Sequence, residues 1–168
     1  EAIKNKVLLK KVPIFMSMNE DELTLLSESC KRVHFNNSEM IIKQKDPGDS
    51  LYIIADGVVS VQLDMENRER KIVSKLGVGD FFGEMSLMTG EPRTANIIAE
   101  SPTVVINVEK EIIKKLFSNN VHFFDTVSDI LAKRKIDLDN IRISDIEDKT
   151  KVKNIAIEMK KAIMHFLS

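Results

Sequence analysis

Two charged residues, Glu84 and Arg93, lie in a stretch that otherwise has the composition of a protein interior. The stretch over residues 79–100 reads GDFFGEMSLMTGEPRTANIIAE, and small or apolar residues surround both charges. An unpaired charge is costly to bury. The two side chains therefore either neutralise each other or face a cavity that holds a polar ligand, and the neighbouring residues indicate which ligand such a cavity would suit.

The residues around Arg93 suit a phosphate group. Gly83 has no side chain, so a ligand can approach its backbone closely, and the sequence EMSLM after it is long enough for one helical turn. Free N–H groups at the start of such a turn favour a bound phosphate. Arg93 follows Pro92, whose ring restricts the backbone, and a guanidinium offers a planar fork of donors that matches phosphate oxygens.

Glu84 would repel a phosphate and should instead accept hydrogen bonds from hydroxyl groups. An acidic side chain that accepts from a ribose 2′-OH is an established way to recognise a nucleoside. The sequence contains no GxxxxGK[ST] loop and no evident magnesium site, which a di- or triphosphate would require. The pattern thus suits a ligand with a sugar hydroxyl and a single phosphate charge.

The composition is that of a globular protein with one ordinary core, at 168 residues, 43% hydrophobic and 30% charged. A net charge of −1 argues against a nucleic-acid partner, which normally requires a basic surface. Cys30 is the only cysteine, which excludes an internal disulfide and a cysteine-based zinc site. Its position four residues after Leu26 predicts a buried structural thiol.

No apolar run approaches the ~18 residues of a membrane span, and no signal peptide is visible. We therefore expect a cytoplasmic location without direct membrane contact, including the case of a cytosolic part of a membrane protein. The chain begins with Glu1 rather than Met, which is consistent with a fragment of a longer protein.

Helical spacing dominates residues 1–30, which we expect to form an N-terminal helical segment. Ile3, Val7 and Leu8 recur at helical spacing before the first proline. The sequence NEDEL indicates a second helix, with Asn19 as its cap and Glu22 at capping-box spacing.

Residues 31–108 have the pattern of short strands separated by turns such as DPGD, ADG and SP. In VVSVQL, the alternation places Val59, Val61 and Leu63 on one face and Ser60 and Gln62 on the other. Closely spaced short strands predict an antiparallel β sandwich or barrel. The fold class is therefore mainly β with flanking helices.

Helical spacing returns after residue 108 and predicts helices over residues 109–143. Two apolar stripes mark this segment: Ile112, Ile113, Leu116 and Phe117, then Phe123, Val127, Ile130 and Leu131. Residues 144–168 should form an extra amphipathic helix with the stripe Val152, Ile155, Met159, Ile163 and Phe166. That last stripe is an internal packing face, a partner-binding or oligomer-forming helix, or a result of where the chain ends.

The sequence FGEMSLMTGEPRTA resembles the phosphate-binding cassette of cyclic nucleotide-binding domains, whose pattern is F-G-E-x-[SA]-L, a short spacer and P-R-[STA]-A. The upstream segments DPGDSLYIIADGVVSV and LGVGDFFGE are also similar to the glycine-punctuated strands of this family. The resemblance covers roughly residues 11–135. It implies an eight-stranded antiparallel jelly roll with N-terminal helices, and it implies that residues 109–143 form a C-terminal hinge and lid helices.

The resemblance also implies roles for individual residues. Glu84 would hold the ribose 2′-OH and Arg93 the cyclic phosphate, while backbone N–H groups around Gly83, Met85, Ser86 and Thr94 would complete the phosphate cradle. Phe82 and Ala95 flank these positions within the cassette. The base would lie against apolar strand residues, for which the candidates are Val61, Leu63, Val73 and Leu76. A helix after the barrel would close over the base through Leu131 and Arg134.

We therefore predict a regulatory module without catalytic residues, metal or cofactor, whose ligand is cAMP in preference to cGMP. Binding would move the C-terminal helices and act on an attached or partner effector, such as an ion channel or a kinase. Residues 143–168 lack the basic character and the short glycine-containing turn of a helix-turn-helix, which argues against a transcription factor.

Three alternatives remain open from the sequence. Glu84 and Arg93 could form a plain buried ion pair, or the chain could be a degenerate member of the fold that binds nothing and serves as a scaffold. A metal-dependent cupin-type enzyme would need two or three converging histidines, and the chain has no histidine between Val58 and Val121.

Overall fold

The structure is a computed structural model, and it describes residues 1–142 together with residues 157, 158, 160, 161, 164 and 165. Of residues 138–142 only the backbone is described. The amphipathic helix predicted over residues 144–168 therefore lies largely outside the described residues.

Two helices and a short 3-10 turn precede the sheets: α1 (Ala2–Leu9), the turn Pro13–Phe15 and α2 (Glu20–Ser29). The predicted capping box of α2 is confirmed. The Asn19 side chain accepts from the Glu22 N–H at 2.9 Å, and the Glu22 carboxylate accepts from the Asn19 N–H at 2.9 Å. These bonds satisfy N–H groups that the first helical turn leaves unpaired.

The apolar residues that indicated α1 by their helical spacing are not its buried face. Ile3 and Val7 are 81% and 54% exposed, whereas Asn5 and Leu9 are buried. The helix rotates this way because Asn5 has a partner inside: its Oδ1 accepts from Nε of Arg32 at 2.8 Å. A buried amide that is hydrogen-bonded in this way costs little.

Within the described residues, eight strands form two four-stranded antiparallel sheets, as the predicted jelly roll requires. The strands are β1 (Lys31–Phe35), β2 (Met40–Ile42), β3 (Ser50–Asp56), β4 (Val59–Asp64), β5 (Arg70–Leu76), β6 (Phe81–Phe82), β7 (Asn96–Ala99) and β8 (Thr103–Glu109). One sheet has the order β1-β8-β3-β6 and the other β2-β7-β4-β5. A short helix, α3 (Glu84–Thr89), connects β6 to the segment before β7.

The pairing of β4 with β5 is irregular next to the predicted base-binding residues. Val61 pairs with Ser74, whereas Gln62 pairs with Ile72, so Val73 is an extra residue on β5. Such a bulge bends the strand and re-aims its side chains.

In the continuously described part of the chain, the sheets are followed by α4 (Lys110–Asn119) and α5 (Val121–Arg142). Five of the eight residues in their predicted stripes are at most 2% exposed: Ile113, Leu116, Phe123, Val127 and Leu131. The other three, Ile112, Phe117 and Ile130, are partly buried and pack against the same cluster. The Phe123 ring stacks on Phe117 with 4.9 Å between centroids and also contacts Phe15. One core cluster thereby joins the N-terminal helices, the first sheet and the C-terminal helices. Among the helices described, none has the length and apolar character needed to cross a membrane.

Candidate functional site

Gly83 lies between β6 and α3, at the N-cap of the helical turn predicted from EMSLM. Its φ of +82° lies in the left-handed region that favours glycine. A Cβ atom at this position would lie 2.8 Å from the Ser50 carbonyl oxygen and 2.9 Å from Nη1 of Arg93. Any other residue here would therefore strain the backbone and push against the arginine.

Arg93 is only 7% exposed. Its Nη1 donates to the carbonyl oxygens of Gly83 at 2.7 Å and Ser50 at 3.1 Å. The backbone of Arg93 is also held, because its N–H donates to the Asp46 carbonyl at 2.8 Å. Burial lowers the pKa of the Arg93 guanidinium below its ordinary value, but an arginine remains charged at neutral pH. The structure thus fixes one buried positive charge beside the start of α3.

Glu84, 5% exposed, pairs with a residue far away in the chain. Its Oε1 accepts from Nη1 of Arg134 on α5 at 2.6 Å. The same nitrogen donates to the Phe81 carbonyl at 2.8 Å, and the guanidinium lies 3.9 Å from the Phe81 ring centroid. Among the ion pairs of the described residues, none joins Glu84 to Arg93. The two charges do not neutralise each other.

Both charges line one cavity of about 320 Å³ between α3, the second sheet and α5. The structure brings twelve of the fourteen predicted site residues to this cavity: Val61, Val73, Leu76, Phe82, Gly83, Glu84, Met85, Ser86, Arg93, Thr94, Ala95 and Arg134. The strand residues that line the cavity are mainly apolar, as a planar base would require.

Leu63 and Leu131 do not line the cavity. Leu63 is 1% exposed and lies beyond the β4–β5 bulge, where it pairs with Lys71. Leu131 is fully buried in the main core cluster, because it continues the stripe of Phe123 and Val127 at four-residue spacing. Leu131 thus helps to dock α5, and of the two predicted lid residues only Arg134 reaches the cavity.

Four cavity residues were missed by the sequence reasoning: Ile42, Ser74, Ile97 and Asp137. Ile97 lies directly opposite Val61 across the β4–β7 pair, and Ile42 pairs with Ile97 from β2. Ile42 and Ile97 could have been predicted if the strand pairing had been known. Asp137 follows Arg134 by three residues, so helical spacing on α5 was a signal for it.

The arrangement can bind an anion, a hydroxyl group and a flat apolar ring side by side. In the described part of the chain, no cluster of three or more His, Cys, Asp or Glu residues could hold a metal ion.

The sequence model of the cyclic nucleotide-binding domain matches residues 32–120, more than half of the 168 residues. The chain belongs to the cyclic nucleotide-binding domain family. The match contains β1 apart from its first residue, β2 to β8, α3 and both buried charges, so it includes most of the fold and the site except Arg134 and Asp137.

Relatives of this cyclic nucleotide-binding domain include parts of protein kinases. The chain is 39% identical over 114 residues to the cGMP-dependent protein kinase, isozyme 2 forms cD5/T2, of Drosophila melanogaster, which covers 66% of this chain and 12% of that kinase. It is 38% identical over 97 residues to the cAMP-dependent protein kinase type II regulatory subunit of the same organism, covering 58% of this chain and 26% of that subunit. The chain thus spans about a tenth to a quarter of these relatives.

The fold is similar to that of the regulatory domain of Toxoplasma gondii PKA, solved with cAMP. The TM-score is 0.70 with 27% sequence identity, and the match covers 80% of this chain and 49% of the other. The predicted jelly roll with flanking helices is confirmed by this likeness.

Proposed function

We propose that this domain binds a cyclic nucleotide, with its cyclic phosphate on Arg93 and its ribose 2′-OH on Glu84. The observation that carries the proposal is that both charges are buried on one cavity yet are not paired with each other. A bound phosphate would supply the anionic partner that Arg93 lacks among its carbonyl contacts, and charge-assisted hydrogen bonds of this kind are the strong ones.

The preferred ligand in this proposal is cAMP. Ile42, Val61, Val73, Leu76 and Ile97 give the cavity an apolar wall, and adenine suits such a wall slightly better than the more polar guanine. Competition between the two nucleotides tests this preference. If cGMP wins by more than about tenfold, roughly 1.4 kcal/mol, the preference is reversed. Asp137 would then be the residue to examine, since guanine offers two adjacent N–H donors to a carboxylate.

Isothermal titration calorimetry with cAMP tests the function itself. One-site, saturable binding is expected, and Arg93→Ala should weaken it by roughly a hundredfold or more, because a phosphate would be desolvated without its cation. Arg70→Ala is the matched control, since Arg70 is half-exposed, pairs with Asp64 and does not line the cavity. Equal affinity in Arg93→Ala and Arg70→Ala would contradict the assignment.

The domain acts, in this proposal, as a cytoplasmic, non-enzymatic regulator. Residues 31–108 serve as the rigid ligand-binding core, and residues 109–143 relay binding to an effector such as a kinase or an ion channel, in the same chain or in a partner. Kinship with regulatory parts of cyclic nucleotide-dependent kinases supports a regulatory role. Residues 144–168 are the proposed contact for an oligomer or an effector.

A further inference from the structure

Ser86, the third residue of α3, has a buried hydroxyl group that lacks a partner. The residue is 1% exposed and lines the cavity, and its Oγ has no hydrogen-bond partner within the described part of the chain. Buried polar side chains are nearly always hydrogen-bonded, so an exception requires an explanation.

Other serine and threonine side chains on the helices of this protein form a hydrogen bond that Ser86 lacks. Each of the following donates to the carbonyl oxygen four residues earlier, at 2.7–2.9 Å: Thr24, Thr89, Ser118 and Ser128. Such back-bonding is the ordinary fate of a hydroxyl on a helix.

Ser86 does not donate to a helical carbonyl four residues earlier, because it lies too close to the start of its helix. The residue four positions earlier is Phe82, which belongs to β6 and not to α3. The carbonyl three positions earlier, that of Gly83, already accepts from Nη1 of Arg93 at 2.7 Å. The hydroxyl is therefore left without a partner, on a residue that lines the cavity and belongs to the same short helix as Glu84.

We propose that the Ser86 hydroxyl donates a hydrogen bond to an exocyclic oxygen of the cyclic phosphate, beside Arg93. This inference rests on the proposed function and goes beyond the backbone N–H role that the cassette implies for this position. The ligand supplies the acceptor that the protein does not, so the unpaired hydroxyl becomes satisfied only in the complex.

The chemistry of a hydroxyl also fits the charge of this ligand. A cyclic phosphodiester carries one negative charge, which the single guanidinium of Arg93 balances. A neutral donor at Ser86 adds a hydrogen bond without a second positive charge, and a second charge would instead favour a phosphate monoester, whose charge at pH 7 is close to −2.

The test measures affinity and stability on the same variants. We expect Ser86→Ala to weaken cAMP binding about tenfold, or ~1.4 kcal/mol, while the melting temperature of the ligand-free protein stays equal or rises. Alanine favours a helix more than serine does and leaves no unpaired hydroxyl. Ser118→Ala is the matched control, since Ser118 is an exposed helical serine on α4 that does not line the cavity.

Two phosphorothioate diastereomers of cAMP identify the oxygen concerned. In each diastereomer, sulfur replaces one exocyclic oxygen of the phosphate, and sulfur is the weaker acceptor. The diastereomer with sulfur at the oxygen that faces Ser86 should bind Ser86→Ala almost as tightly as it binds the wild type.

If the wild type binds cAMP but Ser86→Ala binds it equally well, with unchanged diastereomer ratios, this inference is wrong and the proposed function stands. If the ligand-free melting temperature falls in Ser86→Ala, the hydroxyl is structural and the inference is overturned. If the wild type does not bind cAMP at all, the proposed function itself fails.

Discussion

Arg134 on α5 and Glu84 on α3 form a direct ion pair, with 2.6 Å between Nη1 of the arginine and Oε1 of the carboxylate. The two residues are 50 positions apart in the chain. The pair connects the last described helix to the residue that we propose binds ribose. Because a carboxylate has two oxygens, Glu84 can hold Arg134 with Oε1 while Oε2 accepts from a sugar hydroxyl. The docked position of α5 and the geometry of the ribose site are thereby coupled.

Removal of Arg134 should destabilise the protein. Arg134→Ala leaves the buried Glu84 carboxylate without its cation, which should lower the unfolding free energy by about 1–3 kcal/mol. The loss is smaller than for a fully buried pair because the arginine side chain is 29% exposed. Chemical denaturation measures the loss. Lys133→Ala on the same helix is the control, since Lys133 is exposed. The pair has no structural role if both variants unfold alike.

A double-mutant cycle separates the ion pair from the packing of Arg134 on Phe81. Glu84→Gln combined with Arg134→Ala should cost less than the sum of the single changes, with a coupling of about 0.5–3 kcal/mol. Additive costs would instead assign the effect to the contact between the guanidinium and the Phe81 ring.

Glu84 should govern the recognition of the ribose. Glu84→Gln should weaken cAMP binding less than Glu84→Ala, because the amide keeps an acceptor oxygen. The 2′-deoxy analogue should bind the wild type poorly and lose that disadvantage in Glu84→Ala. Calorimetry with the four protein and ligand combinations measures this coupling directly. Equal affinity of the wild type for the two ligands would rule out the contact.

Gly48 should matter for binding through its contact with Arg93. A Cβ atom at Gly48 would overlap the guanidinium at Nε, Cζ and Nη2. The arginine can swing away, so Gly48→Ala should fold yet bind cAMP about tenfold or more weakly, because the cation is displaced. Gly77→Ala is the matched control, since nothing lies within 4 Å of a Cβ atom there. Equal affinities of these two variants would show that Arg93 need not occupy its observed position.

The prediction for Cys30 concerns alkaline pH. Burial raises the pKa of the thiol from 9.0 to about 12. At a pH between these two values, the thiol stays protonated in the folded protein but ionises in the unfolded protein. Its contribution to stability is therefore fully present below about pH 9 and is lost as the pH rises toward the folded pKa. The unfolding free energy of the wild type should therefore fall relative to that of Cys30→Ala, by at most ~1.4 kcal/mol per pH unit. Parallel curves from pH 8 to 10.5 would contradict this, and slow alkylation at pH 8 provides a second check.

The parts of the fold that the sequence could predict are those set by neighbouring residues. The capping box of Asn19 and Glu22 depends on residues three positions apart, and its bonds form as expected. The turn after Gly83 likewise depends on one glycine and the helix-forming residues behind it. Local patterns of this kind carry their own geometry.

What the sequence could not predict depends on partners that are distant in the chain. The apolar spacing of α1 does not show which side is buried, because Asn5 on the buried side is satisfied by Arg32, 27 positions away. The exclusion of Leu63 from the cavity follows from a bulge on the neighbouring strand, and the contact of Arg134 with Glu84 depends on how α5 docks. Tertiary contacts override local pattern in each case.

The last prediction concerns how binding is relayed: ligand should change the helices after residue 109 and leave the sheets nearly unchanged. The sheets are joined by many non-local ladder bonds and a close-packed interior, which resists small shifts. The helices α4 and α5 are attached mainly through single apolar stripes, which can re-dock as units. A ligand can drive such a change only through a difference in affinity between the two positions of the helices.

The ion pair of Arg134 with Glu84 provides a physical source for that difference, because a ligand that orients Glu84 also orients the partner of α5. Amide hydrogen exchange with and without cAMP is the direct test. Protection should rise over residues 83–95 and 123–135, with little change over residues 51–57 on β3. Arg134→Ala should keep the first increase and lose most of the second, whereas Lys133→Ala should keep both. If α5 exchanges identically with and without ligand in the wild type, the domain binds without relaying, and the coupling through Glu84 and Arg134 has no regulatory role.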